Sequence, residues 1–346
     1  DPDSLLALRG AFTIWAYIWP TALGSGRQAI LSRWSIEQGK GYALGINEKG
    51  QLEFWIGDGK KIDSISSEVS LRHKQWYQVA ISYNPNGTSS LYQEPIENRY
   101  GNLLSKVVPL DMTGHVTEAL RIRAVNIEKG FLWGGSHDHN EGRGDFIGQL
   151  YNGKIDRCGV IGRSLSRSDL DLLKKEGPPK DSIAIWDTTI GYNKDGIGDE
   201  IIDLSSNKLN AVGHNRPVRA MTGYNWNGRD DCFRLDPSQF GGVWFHDDAM
   251  TDCKWETTFS MVVPELKSGV YAARLREEDI EDHLVFFIRP SKPTASIAML
   301  MPTCSYLAYA NDRLGLDFPT SQLVSAHVPV FHDWDIELSK PILAVR

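Results

Sequence analysis

Cysteine is scarce: the 346-residue sequence holds only Cys158, Cys232, Cys253 and Cys304, with no Cys-x-x-Cys pair among them. That spacing argues against a thiolate zinc site. Two readings of Cys232 and Cys253 stay open, a disulfide or buried free thiols, and reduced thiols lean towards a cytoplasmic protein. Long apolar runs are missing too. None approaches the roughly 20 residues of a spanning helix, so no membrane partner is expected. Basic charge is not in excess, since 37 Lys and Arg stand against 44 Asp and Glu for a net charge of -7. A general nucleic-acid binder needs the opposite sign to meet phosphates. The sequence has no Gly-x-Ser-x-Gly elbow, no Gly-x-x-x-x-Gly-Lys-Ser/Thr loop and no Gly-x-Gly-x-x-Gly turn before a helix. Serine hydrolase, nucleoside triphosphatase and dinucleotide enzyme are therefore disfavoured. The opening DPDSLLALRG carries neither an initiator Met nor a basic segment followed by an apolar core, and no signal peptide is visible.

What the sequence does contain is a succession of short strands. Residues 12–19 are β-branched and aromatic throughout and stop at Pro20, as a strand buried on both faces would. Residues 51–56 follow a turn at 47–50. Residues 76–83 alternate, with Tyr77, Val79, Ile81 and Tyr83 on one side and Gln78, Ala80 and Ser82 on the other, before Asn84-Pro-Asn-Gly87 turns the chain into 89–93. Asn152-Gly153 reads as a hairpin turn with 154–161 as the returning strand. A single helix is expected after Ser166, with Asp169 at its third position, an apolar face of Leu170, Leu172 and Leu173, and Gly177-Pro178-Pro179 as its stop. The reading is a mainly β protein: a jelly-roll sandwich over 1–219, then a small immunoglobulin-like unit over 220–290. The latter is expected to use strands at 257–263, 269–276 and 283–289. After the linker at 290–293 a strand is expected at 295–300, where the unbroken apolar run Ile297-Ala298-Met299-Leu300 suits the first buried strand of a parallel sheet. The remaining length, 294–346, is too short for an ordinary α/β domain, so the chain is expected to stop inside one.

Two groups of residues carry a family resemblance. AFTIWAYIWP, RHKQWYQVAISY and YNGKIDRCGVIGRSLSRSDLDLL resemble the concanavalin-like laminin-G jelly roll. AMTGYNW, GGVWFHDDAMTDCKWE, SGVYAARLR, VFFIRP and PTCSYLAYAND, in that order, resemble the large (β) subunit of N,N-dimethylformamidase. The second resemblance implies an amidohydrolase that cleaves dimethylformamide, or a related small N-substituted amide, to formate and an amine. It implies a mononuclear ferric iron held by two tyrosines and a glutamate in a C-terminal α/β domain, a small helical (α) subunit as partner, and assembly with other large subunits. Iron of that charge prefers anionic oxygen donors and can polarise an amide carbonyl. On the resemblance, the position matching the family's tyrosine is Tyr309, with Tyr306 as the other candidate. The remaining reading makes both aromatic packing residues of a loop. The second tyrosine and the glutamate are expected past Arg346, so the 346-residue piece alone is expected to be inactive.

Other polar groupings compete with this. His246-Asp247-Asp248 is either a metal site or a hydrogen-bonding turn, and consecutive residues on a strand face opposite ways. His137, Asp138, His139, Asn140, Glu141 and Asp145 form either a solvated loop or an oxygen-rich calcium site of the kind laminin-G modules can carry. His332-Asp333-Trp334-Asp335 is either a surface turn or a segment near a cleft. A different class of function also stays open: a jelly roll with 11 Trp in the chain could be a carbohydrate- or protein-binding module without catalysis.

Overall fold

Strand β1 (Phe12–Pro20) is buried at all nine positions, and what covers its two faces defines the architecture. The structure is a computed structural model that describes residues 5–102, 113–123, 127–142, 144–193, 196–247, 256–278 and 280–308. After β1 come β2 (Gln28–Ser35), β3 (Lys40–Ile46), β4 (Gln51–Asp58), β5 (Ile62–Ser70), β6 (Tyr77–Tyr83), β7 (Ser89–Pro95) and β8 (Gly114–Glu118). Then follow β9 (Leu132–Trp133), β10 (Ser136–Asn140), β11 (Gly144–Gly148), β12 (Gly153–Ile161), helix α1 (Arg167–Glu176) and β13 (Ala184–Asp187). Short ladders β14 (Tyr192–Asn193) with β15 (Gly196–Ile197), and β16 (Glu200–Asp203) with β17 (Ala211–Val212), order the Gly- and Asn-rich stretch. Strands β18 (Val218–Met221) and β19 (Gly242–Phe245) close the first compact unit, which ends at Ala249.

Apart from the β14–β15 ladder, the strands of this unit form two sheets. One runs β17-β16-β13-β12-β1-β6-β7-β8, with β19 paired to β12 and β18 to β19; the other runs β11-β10-β2-β3-β4-β5, with β9 beside β2. This is the expected jelly-roll sandwich. Ile14, Ala16 and Ile18 of β1 and Val79 and Ile81 of β6 join Ile30, Leu44, Phe54 and Ile56 from the opposite sheet in one core cluster. The alternate residues of β1, Trp15, Tyr17 and Trp19, belong to a second cluster with Trp76, Ala80, Tyr92, Leu170 and Leu173, flanked by Tyr224 and Trp244. Strand β1 is apolar on both faces because α1 and the 218–245 segment roof the side that a two-layer sandwich would leave wet.

Helix α1 starts where the capping box predicts: Ser166 Oγ accepts from Asp169 N, and the Asp169 carboxylate accepts from Ser166 N. Leu170 and Leu173, three apart, face the core, while Leu172 points away and is 49% exposed. Asn152-Gly153 does not close a hairpin. Strands β11 and β12 lie in different sheets, so this turn carries the chain across the sandwich. Asn152 N donates to Gln28 Oε1 (2.9 Å), and Thr21 N donates to Asn152 O (2.9 Å).

The division of the chain differs from the sequence expectation. Strand β19 pairs with β12 through Ile155↔Val243, so 218–245 belongs to the first unit's sheet and not to an immunoglobulin-like unit. The second unit, 250–346, holds among its described residues the hairpin β20 (Gly269–Glu277) and β21 (Ile280–Ile288) and helix α2 (Thr303–Ala308). Neither expected strand at 257–263 nor that at 295–300 forms: Val262 is 94% exposed and Leu300 96%. An unbroken apolar run becomes a buried strand only with a neighbour to pair with and layers to cover it, and the described residues offer these two runs neither. The rest of the expected α/β start, 309–346, lies outside the described residues.

Candidate functional site

The residues predicted to hold metal divide at the edge of the described chain. Tyr306 lies in α2, a six-residue helix; Tyr309, Cys253, Asp248 and the His332–Asp335 group lie outside the described residues. Cys232 is a free thiol, as are Cys158 and Cys304. No group of three or more His, Cys, Asp or Glu among the described residues could hold a metal ion. His246 and Asp247 are exposed at the end of β19, where Asp247 N donates to Asn152 Oδ1 (3.0 Å).

The polar stretch read as a loop is a hairpin instead. His139 pairs with Asp145 across β10 and β11, and the alternation of β10 puts His137 and His139 on one face. A cavity of about 250 Å³ opens there, lined by Glu37, Lys129, His137, Asp138, His139 and Asp145 among others. Asp145 is already engaged: Lys129 Nζ reaches Oδ2 at 2.5 Å and His139 Nδ1 reaches Oδ1 at 2.8 Å. These two contacts hold its carboxyl below the usual range. Burial lowers His137, against a hydrogen bond from its Nε2 to Gly130 O that pulls the other way. An ammonium seated on the central carboxylate leaves few free oxygens for a calcium ion, which takes about six to eight.

The densest polar chemistry lies elsewhere, on the roofed face of β12, and sequence reasoning passed over it. The register of β12 against β1 slips between Ala16 and Tyr17, and Arg157 occupies the bulge with φ +35°. Asp156, fully buried, accepts from Arg157 Nε (3.0 Å), Thr188 Oγ1 (3.2 Å) and Tyr224 N (3.2 Å). Arg157 also donates to Ser238 O (2.8 Å) and Asn225 Oδ1 (3.3 Å). Its guanidinium lies 4.9 Å from the ring centre of Tyr224, which stacks on Tyr17 at 3.8 Å and 12°. Burial works against the Arg157 charge, yet Asp156 and Tyr224 outweigh it and raise the group further.

Lys154, two residues before Asp156, points the same way. Its ammonium donates to Thr222 Oγ1 (2.8 Å) and lies 4.6 Å from the ring centre of Trp19, 5.9 Å from Trp244 and 6.0 Å from Trp76. Burial pushes it down to about 8, with Asp156 opposing. Two glycines make the fit: a Cβ at Gly223 would fall 2.4 Å from Asp156 Oδ2, and one at Gly241 2.2 Å from Oδ1. Such distances require a residue without a side chain. Each charge in this cluster meets partners from the 222–238 segment. Its chemistry is that of a clasp, fastening 218–245 onto the sandwich. The signal was present in the sequence as Lys154, Asp156 and Arg157 within a strand otherwise suited to burial, since buried charges occur almost always with partners.

Two stretches of the chain match known families. Residues 2–99 match the concanavalin A-like lectin/glucanases superfamily, and residues 218–335 match a family described as N,N-dimethylformamidase beta subunit-like, C-terminal. The N,N-dimethylformamidase beta subunit of Alcaligenes sp is 37% identical over 98% of this chain and 46% of its own length. This chain is homologous to those beta subunits. The counterpart from Paracoccus aminophilus is 35% identical over the same shares. The chain thus spans about half the length of the curated relatives it matches. A solved structure, the CBM40 of Ruminococcus gnavus IT-sialidase, is similar at 15% identity and a TM-score of 0.32, covering 48% of this chain and 84% of that one. A likeness that loose carries nothing further. The dimethylformamidase-like match begins at Val218, the first residue of β18, so the clasp joins residues of that match to Asp156 and Lys154 outside both matched ranges.

Proposed function

We propose that this chain is part of the large subunit of a dimethylformamidase-type amidohydrolase, in which residues 1–290 serve as scaffold. The reaction would be hydrolysis of N,N-dimethylformamide or a related small N-substituted amide. Water adds to the carbonyl carbon, the C–N bond breaks, a proton passes to the nitrogen, and formate and an amine leave. One observation carries the reading: identity of 37% runs through 98% of the chain, across both units and through the clasp. The name beta subunit in both relatives supports a multi-subunit enzyme. A small helical subunit and further large subunits are the proposed partners. The proposed cofactor is iron, with Tyr309 or, failing that, Tyr306 among its ligands. The proposed compartment is the cytoplasm.

The test uses the full gene product co-expressed with its small subunit. Elemental analysis should find stoichiometric iron, a phenolate-to-ferric charge-transfer band should colour the protein, and dimethylamine should be released from dimethylformamide. Tyr309→Phe should remove both the band and the turnover. Survival of both in Tyr309→Phe and equally in Tyr306→Phe, or stoichiometric zinc in place of iron, overturns the metal assignment. An absence of amine release from any small N-substituted amide overturns the amidohydrolase reading.

A further inference from the structure

In an antiparallel pair, directly opposed residues share a face, so the register of β20 and β21 sorts their side chains. Tyr271 with Phe286 and Ala273 with Leu284 lie on one face; Val270 with Phe287 and Ala272 with Val285 lie on the other. Both faces are therefore apolar in the half of the hairpin next to Gly269 and Ile288. The turn half is different, carrying Arg274, Arg276, Glu277, Glu278, Glu281 and His283. Val270 is 57% exposed, Leu284 56% and Val285 52%, and the two strands pair with no third strand among the described residues. A two-stranded hairpin alone is marginal in water. Apolar side chains on both faces are the mark of strands covered on both sides, whereas a strand with one wet face alternates. An uncovered edge of this composition also invites uncontrolled pairing.

We infer that the apolar half of this hairpin is an interior element, layered on both faces by polypeptide of the longer protein outside residues 1–346, while its charged turn projects into water. The inference rests on the proposed function, in which this chain continues as its relatives do. The covering material is assigned to the same polypeptide because the match takes up only 46% of those relatives, leaving about as much chain again to supply it. A partner subunit could cover one face. Enclosure of both faces of adjacent residues is the ordinary outcome of folding within one chain.

Photocrosslinking tests this in the assembled full-length complex, with p-benzoylphenylalanine placed singly at Leu284, Val285 and Arg276. Leu284 and Val285 should each crosslink within the large subunit to segments outside residues 1–346, a different segment for each face, and Arg276 should not. Capture of the small subunit, capture of a second large subunit, or yields no higher than at Arg276 would each overturn the inference. Hydrogen exchange on the unsubstituted complex guards against disruption by the probe. Amides of both strands should exchange at least about ten-fold more slowly than those of the turn, and uniformly fast exchange overturns the inference. Intact mass keeps the two ideas separable: a gene product of these 346 residues alone removes the proposed function, whereas a longer product that crosslinks elsewhere removes only this inference.

Discussion

Replacing Asp156 by Ala should cost the first unit about 3–5 kcal/mol, the range for breaking a buried ion pair from one side. Asp156 has no exposed surface and accepts from three donors: Arg157 Nε, Thr188 Oγ1 and Tyr224 N. Removing it leaves a guanidinium at the roofed surface with Ser238 O and Asn225 Oδ1 as its remaining partners, and it leaves the Tyr224 amide unpaired. Asp156→Asn separates charge from shape. The amide keeps one acceptor oxygen, but its nitrogen must face a donor, so a loss of about 1–3 kcal/mol is expected, smaller than that of Asp156→Ala. Against a total stability of about 5–15 kcal/mol, both are measurable by urea denaturation followed through tryptophan fluorescence. The reasoning also makes the loss local. Amides of 218–245 should lose exchange protection before those of β1 and β6. A cost under about 1 kcal/mol for Asp156→Ala, or an equal loss of protection in β1 and in 218–245, would refute the clasp as the fastening of that segment.

Lys154 supplies a pH signature. Its folded value of about 8 lies below the roughly 10.4 of an unfolded lysine, so between those two values the unfolded chain binds more protons and the contribution of Lys154 to stability rises with pH. The rise should stay under roughly 3 kcal/mol, because three indole faces hold part of the charged form. It is read as the difference between the parent chain and Lys154→Met, in which the buried groups that lose stability in alkali, Cys158 and Tyr151 among them, cancel. A difference that stays flat or falls from pH 8 to about 10 contradicts the assignment. Chain cutting tests the boundary: a piece ending at Arg219 should bind a hydrophobic dye and aggregate, since it bares Tyr17, Trp19 and Trp76, whereas one ending at Ala249 should stay monomeric in size-exclusion chromatography. Equal behaviour of the two pieces would place the boundary back near 219.

How much was legible depended on whether a segment's partners were nearby in sequence. The strand at 12–19 announced its burial on both faces by composition alone. The helix after Ser166 was readable because a capping box is a contact within four residues. Asn152-Gly153 misled because a turn signal says that the chain reverses and not which sheet receives it. The stretch 137–145 looked like a loop because its charges mask a hairpin whose register is set by opposed residues such as His139 and Asp145. The expected strands at 257–263 and 295–300 were drawn from apolarity, which records a tendency to be covered and does not supply the cover. Arg157 could not be placed from sequence, since a bulge is a property of two strands together. Tyr306 was legible only as a residue type, because a metal site depends on which donors converge on one point.

The clasp explains why the boundary drawn from composition and the boundary drawn from packing differ. Residues 218–245 carry turn-rich motifs, AMTGYNW and GGVWF, that look like the opening of a new unit. Their glycines read as loop punctuation. In the structure Gly223 and Gly241 are small because Asp156 oxygens occupy the space where a Cβ would stand, and Trp244 and Tyr224 are aromatic because they roof Trp19 and Tyr17. The charged residues that receive them sit on β12, a strand whose other face is Ile155, Cys158 and Val160 in the sandwich core. A jelly roll that served only as an appended binding module would have no need of buried Lys, Asp and Arg on its outer face, where their desolvation must be offset by partners from a later segment. Their presence ties the folding of the sandwich to 218–245, the opening of the dimethylformamidase-like match, so the sandwich and that segment are better regarded as one folding unit than as a carrier and its passenger.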